Sequence, residues 1–186
     1  MHRTLWRAVK PWLAPASIAL WLLVGLGAWP WVEKQRNIAA LGDAGLNWSA
    51  TARAVSINEW GKANLESLDG VERVLRRLQP RTLDLSGCGA LQNVDVLKGL
   101  TSLQSLNLAL CGALHDVDGL KGLTRLQSLD VTFCPALQNV DVLKALTSLR
   151  SLDLSFCTAL SDAQVAELQR ALPKLKITRL TERREP

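Results

Sequence analysis

The chain has 186 residues, 48% of them hydrophobic, and carries 22 Lys and Arg against 17 Asp and Glu, a net charge of +5. The excess is uneven: residues 1–78 hold ten basic against six acidic side chains, residues 79–178 nine against nine, and residues 179–186 three against two. A neutral 79–178 region without a basic stripe argues against nucleic acid as a partner, and the positive N-terminal half suits a membrane neighbour.

Residues 1–10 form a basic flank with Arg3, Arg7 and Lys10. From 11 to 32 the chain has no charge, and about 20 apolar residues span a bilayer as a helix. Trp12 at one end and Trp29 and Trp31 at the other read as interfacial anchors, and Pro11, Pro15 and Pro30 sit near the ends. A signal peptide cleaved after Ala28 or Gly27 is the alternative, but Leu26 is a poor residue three before the Ala28 site and the apolar run is long. The expectation is an uncleaved single-pass anchor in the inner (plasma) membrane. The basic excess before the span favours a cytoplasmic N-terminus, with the rest of the chain periplasmic or extracellular. Four thiols pull mildly toward a reducing compartment, and burial reconciles them with an oxidising one.

Residues 33–68 read as a juxtamembrane linker. EKQRNIAALGDAGLNW extends the membrane helix until Gly42 or Gly45 ends it. ARAVSIN (52–58) alternates like a strand, with Ala52, Ala54 and Ser56 against Arg53, Val55 and Ile57. Trp48 and Trp60 are expected to pack this stretch against the first coil of the region that follows or to rest on the membrane surface. NWS (47–49) matches an N-glycosylation sequon.

The next element is a helix over 71–78, with Val71, Val74, Leu75 and Leu78 inward and Arg73, Arg76 and Arg77 outward. It caps an array of repeats. There, Cys88, Cys111, Cys134 and Cys157 recur every 23 residues and close the phrases LDLSGC, LNLALC, LDVTFC and LDLSFC. A fixed period of this size marks a stacked repeat. Alternate residues of each phrase point inward: Leu83 and Leu85, Leu106 and Leu108, Leu129 and Val131, Leu152 and Leu154. Leu97 and Leu100, Leu120 and Leu123, and Leu143 and Leu146 complete the core from the back of each coil. One coil cannot bury these alone, so stacking must make one core and one parallel sheet.

The units LQSLNLALCGAL (103–114), LQSLDVTFCPAL (126–137) and LRSLDLSFCTAL (149–160) share the pattern LxxLxLxxCxxL, with a degenerate copy at 80–91. The pattern resembles leucine-rich repeats from Leu78 to about Thr178, with cysteine where many members have asparagine. The back halves, such as NVDVLKGLTS (93–102), look like the short 3₁₀ backs of bacterial surface repeats. The resemblance implies an α/β solenoid over 69–178: a short leucine-rich-repeat arc with a parallel sheet and helical caps, following one N-terminal transmembrane helix. It also implies a binding scaffold without chemistry of its own.

The C-terminal cap is expected at 161–172, where Ser161 and Gln164 have capping-box spacing, Val165, Leu168 and Leu172 form the inner stripe, and Pro173 ends the helix. LKI (175–177) adds a last strand, and a charged tail fills 179–186.

Four cysteines strung along a line cannot converge on a metal, and parallel side chains hold Cβ atoms too far apart for good disulfides. A structural ladder of buried thiols fits best, each a weak donor to backbone. Neither a metal nor another cofactor is expected.

Equivalent residues of successive coils line up as columns. Arg81, Gln104, Gln127 and Arg150 form one, Thr82, Ser105, Ser128 and Ser151 the next, and Asp84, Asn107, Asp130 and Asp153 a third. Stacked like charges repel, so the third column reflects either function or a hydrogen-bonded ladder. A last column is Gly87, Leu110, Phe133 and Phe156, which includes both phenylalanines of the chain. It either binds a partner or tucks under the next turn as core. Lys98, Lys121 and Lys144 face Asp95, Asp118 and Asp141 on the back.

Catalytic sets are missing: His2 and His115 are the only histidines, His115 shares a solvent-facing column with Gln92 and Gln138, and GCGAL (87–91) is a repeat turn, not a phosphate loop. The repeats run nearly to the C-terminus and leave no length for an enzyme domain. The function expected is therefore non-enzymatic recognition or assembly of another protein. The candidate contact residues are Leu110, Phe133, Phe156, Gln104, Gln127, Arg150, Asn107, Asp130 and Asp153. The alternative is a structural accessory subunit of a membrane complex, contacting its neighbours through the transmembrane helix.

Overall fold

The computed structural model describes residues 46–49, 51–57 and 72–181. The expected span at 11–32, its anchors Trp12, Trp29 and Trp31, its helical extension toward Gly45, Trp60, Val71 and the last five residues lie outside these. Among the described residues no helix is long and apolar enough to cross a membrane.

One seven-stranded sheet runs in sequence order. Strands β1 (Leu46–Ser49) and β2 (Ala54–Ile57) form an antiparallel hairpin, and β2 pairs in parallel with β3 (Thr82–Asp84). Parallel pairing then continues through β4 (Ser105–Asn107), β5 (Ser128–Asp130), β6 (Ser151–Asp153) and β7 (Lys176–Thr178). The register is the one the 23-residue period dictates. Leu83 pairs with Leu106, Leu106 with Leu129 and Leu129 with Leu152, so a slip of one residue would turn a leucine out and a Ser or Asp in.

The inward leucines are buried as expected, including Leu97, Leu100, Leu120, Leu123, Leu143 and Leu146 at the backs of the coils. Those backs are 3₁₀ helices at Asp95–Leu97, Asp118–Leu120 and Asp141–Ala145. On that side Lys98 pairs with Asp95 at 2.9 Å, and Lys144 bridges Asp141 at 2.7 Å and Glu167 at 3.1 Å. These are exposed pairs and contribute little to stability.

Two helices flank the sheet in sequence. Helix α1 (Glu72–Leu78) buries Val74 and Leu75, leaves Arg73, Arg76 and Arg77 exposed, and pairs Arg76 with Glu72 across one turn at 2.8 Å. Helix α2 (Asp162–Ala171) starts at Ser161, whose hydroxyl accepts from the Gln164 amide while the Gln164 side chain accepts from the Ser161 N–H. Two of the orphan donors at this end, the Ser161 and Gln164 N–H groups, are thereby satisfied, as the Ser-x-x-Gln spacing predicts. Leu168 and Leu172 are buried and Val165 packs against the core.

The sheet begins earlier than the repeat pattern alone indicates. Residues 46–57, within the stretch read as a linker, contribute β1 and β2. Leu46 is buried and Trp48 packs on the core, while Asn47 and Ser49 face solvent. Val55 sits in register with Leu83 and closes the first coil. At the other end Arg179 and Leu180 belong to the body, not to a loose tail. Arg179 reaches back to the Leu160 carbonyl and to Asp162, both at 2.6 Å, and the Leu180 N–H donates to the Ser155 hydroxyl at 3.0 Å.

Candidate functional site

Each strand ends in the same turn. The cysteine N–H donates back three residues: Cys88 to Leu85 O at 3.4 Å, Cys111 to Leu108 O at 3.3 Å, and Cys157 to Leu154 O at 3.3 Å. The third residue of each turn has positive φ: Gly87 at 81°, Leu110 at 63°, Phe133 at 56° and Phe156 at 60°. A turn with this backbone favours Gly or Asn there, and Gly87 is the ordinary solution. A leucine and two phenylalanines instead carry a steric cost of about 1–2 kcal/mol each.

The N–H groups of these residues continue the ladder beyond the strands. Gly87 donates to Ala109 O at 2.7 Å, Leu110 to Thr132 O at 2.8 Å, Phe133 to Ser155 O at 2.9 Å and Phe156 to Leu180 O at 2.8 Å. The side chains do not tuck under the following turn. Leu110 is 57% exposed and Phe133 47%, Phe156 is half-buried, and the two rings stack with centroids 4.3 Å apart and planes within 7°. Leu180, 59% exposed, joins them, and these residues include every exposed large hydrophobic side chain among those described. The sequence pattern did not single out Leu180, because it falls outside the repeat; only the bond to Phe156 assigns it to this edge.

The acidic column resolves into local turns. Oδ1 of Asp84, Asn107, Asp130 and Asp153 accepts the N–H two residues on, from Ser86, Ala109, Thr132 and Ser155, at 2.9–3.0 Å. Each side chain thus fixes the turn that presents Gly87, Leu110, Phe133 or Phe156. The neighbouring column sits at the strand starts. Gln104 N–H donates to Arg81 O, Gln127 to Gln104 O and Arg150 to Gln127 O, each at 2.8 Å, with Arg81, Gln127 and Arg150 exposed.

Beneath the edge lies the thiol ladder. All four cysteines are buried and in no disulfide. Cys111 Sγ donates to Leu85 O at 3.4 Å, Cys134 to Leu108 O at 3.2 Å and Cys157 to Val131 O at 3.1 Å. These three thiols therefore tie their coils to the ones before. Burial pushes the Cys134 thiol up to about 12 and raises Cys157 as well. Cys111 is raised by a hydrogen bond with the Cys88 thiol, then by burial. Such thiols are held protonated and make poor nucleophiles. His115 is exposed, stacked between Gln92 and Gln138 through backbone bonds, and pairs with Asp116 at 3.1 Å. No group of side chains suited to holding a metal ion occurs among the described residues.

Residues 145–163 match the family model described as Leucine Rich repeat. Residues 145–163 thus carry a leucine-rich repeat. The TLR13 chain in a TLR13–ssRNA13 complex shares 22% identity and a TM-score of 0.51 over 70% of this chain and 19% of its own, which places the repeats in the same fold. Internalin C2 of Listeria monocytogenes is 27% identical with a TM-score of 0.38, covering 57% of this chain and 54% of its own. A leucine-rich-repeat protein of Leptospira interrogans is 15% identical with a TM-score of 0.24, over 57% of this chain and 45% of its own. The chain thus spans about half the length of the two bacterial chains and a fifth of the TLR13 chain. No curated protein matches the chain.

Proposed function

We propose that the chain is a membrane-anchored, non-catalytic recognition or assembly subunit of the bacterial inner membrane whose leucine-rich repeats bind another protein. The apolar rungs Leu110, Phe133 and Phe156 carry this reading. They are bulky, exposed and held at a backbone position that penalises them. Retained strain of this kind is a pointer to function. The outer face of the sheet offers less. It presents Thr82, Ser105, Ser128 and Ser151 beside Asp and Asn side chains already engaged in their own turns. Gln104, Gln127 and Arg150, with Asn107, Asp130 and Asp153, would form the polar rim around the apolar rungs.

Residues 11–32 are the anchor in this reading, with Trp12, Trp29 and Trp31 at the two interfaces, the N-terminus cytoplasmic and the repeats periplasmic or extracellular. Buried, protonated thiols suit an oxidising compartment, since a thiol shielded in the core is a poor target for exchange. The test is photo-cross-linking in the native host from a probe at position 127. A discrete protein adduct that disappears in Phe133→Ser/Phe156→Ser supports the reading. An adduct indifferent to both changes would sink it. Protease protection in spheroplasts reports the orientation separately.

A further inference from the structure

Each of the two phenylalanine rungs has an acidic neighbour three residues earlier, and the two repeat together: Asp130 with Phe133, Asp153 with Phe156. In both aspartates Oδ1 is occupied by the turn, whereas Oδ2 accepts no hydrogen bond among the described residues. Neither aspartate forms a salt bridge there. The edge is therefore an apolar line with a parallel line of half-satisfied carboxylates. Asn107 makes the same turn bond as the aspartates, at 3.0 Å, so the turn does not require the charge at these positions.

The rung spacing constrains the occupant. Coils repeat every ~4.8 Å, so Leu110 to Phe156 covers roughly 10 Å. Apolar residues at i, i+4 and i+7 of a helix cover about 10.5 Å along its axis. Alternate residues i, i+2 and i+4 of an extended strand cover about 13.5 Å and fall out of step by nearly a full rung. Charge excludes two other occupants. An anionic leaflet is repelled by the carboxylate line. A second copy of the same edge would set Asp against Asp.

Resting on the binding-edge reading above, we infer that the partner element is an amphipathic helix lying across the coils, with apolar residues at i, i+4 and i+7 seated on Leu110, Phe133 and Phe156 and Lys or Arg beside them facing Asp130 and Asp153. Leu180 extends the apolar line by one further contact at the C-terminal end.

The experiment uses the full chain in nanodiscs of zwitterionic lipid and three fluorescent 14-residue peptides. One is helical with Leu at i, i+4 and i+7 flanked by Lys, one has Glu in place of Lys, and one alternates Leu and Lys as a strand. Anisotropy should show the Lys-flanked helix binding at least about tenfold more tightly than either alternative, since wrong-sign flanks are penalised. Phe133→Ser/Phe156→Ser should lower that affinity roughly 100-fold, as loss of two hot-spot anchors does. Leu110→Asn, at a separate rung, replaces the double variant if it fails to fold. Asp130→Asn/Asp153→Asn keeps both turns and should weaken binding about fivefold at low salt, a difference that vanishes at high salt. Phe-dependent binding of the Glu-flanked or alternating peptide overturns the basic-helix partner and leaves the binding edge standing. Binding of no peptide, Phe-independent binding, or a salt-insensitive Asn variant also overturns it. Cross-linking from position 127 then judges the edge on its own. Phe-dependent self-association in sedimentation would assign the edge to a second copy instead.

Discussion

The Phe133 and Phe156 rings lie almost parallel with centroids 4.3 Å apart, closer than the spacing of the coils that carry them. Isolated aromatic pairs prefer offset or edge-to-face contact. Here two identical turns hold both side chains in the same left-handed backbone state, and the sheet spacing brings the rings into a near-parallel stack. The stack is imposed by the scaffold, and one side of it is left open to solvent.

Replacing Leu110 separates surface from core. Leu110→Asn puts a residue that tolerates positive φ where a leucine now stands half in water. The thermal midpoint should stay within about 2 °C of the parent or rise slightly. Leu108→Ala, two residues away and fully buried, should cost about 2–5 kcal/mol. Calorimetry on the pair would reveal a packed rung if the Asn variant also melts early.

Alkaline pH should act through the thiols. In the unfolded chain Cys134 titrates near its ordinary value of about 8.5. In the folded protein burial pushes it up to about 12. Below about pH 8.5 both states keep the proton and pH has no effect through this group. Above that, the unfolded state loses its proton first, so stability falls as pH rises. Urea midpoints from pH 8 to 11 should decline more steeply for the parent than for Cys134→Ala. Parallel curves would mean that the thiol is not shielded.

Gly119 tests the backs of the coils. Its neighbours in the repeat are Val96 and Val142, yet a Cβ at 119 would land on the Val94 carbonyl. Gly119→Ala should destabilise by about 3 kcal/mol, since the clash is with backbone that cannot rotate away. Gly112→Ala has nothing within 4 Å and should change stability by under about 0.5 kcal/mol. Equal effects in denaturant titration would contradict the close approach.

The C-terminal cap has two supports. Ser161→Ala removes the hydroxyl acceptor and should cost about 1 kcal/mol. Gln164→Ala should cost more than Ser161→Ala. The same side chain accepts from the Ser161 N–H and donates to the Gln138 carbonyl at 2.8 Å, fastening the helix to the preceding coil. Hydrogen exchange in Val165 to Leu168 should accelerate in both variants. An unchanged rate in Gln164→Ala would show that the cap stands without that tie.

Features that repeat were the ones the sequence disclosed. The positions of Leu83, Leu106, Leu129 and Leu152 recur four times, so register, inward faces and surface columns were legible from the period alone. The capping box at Ser161 and Gln164 was legible because its chemistry is local. Features that occur once were harder. In Leu46–Ser49 two apolar residues alternate with two polar ones, too short a run to tell a strand from the end of a helix. Arg179 looks like part of a charged tail until its bonds to Leu160 and Asp162 are seen. The left-handed backbone at Leu110, Phe133 and Phe156 was hidden because the residue types there argue against it; only Gly87 hinted at it.

The thiol contacts have a consequence for how such a protein can change over time. Each rung of the edge, the Asp or Asn that fixes its turn and its cysteine come from one 23-residue unit, and successive units meet through the same bonds. Duplicating one internal unit in the gene would lengthen the apolar line by one step and supply its own fastening, with no second change needed elsewhere. The length of the apolar line is therefore set by copy number, and a single in-frame recombination event can alter it.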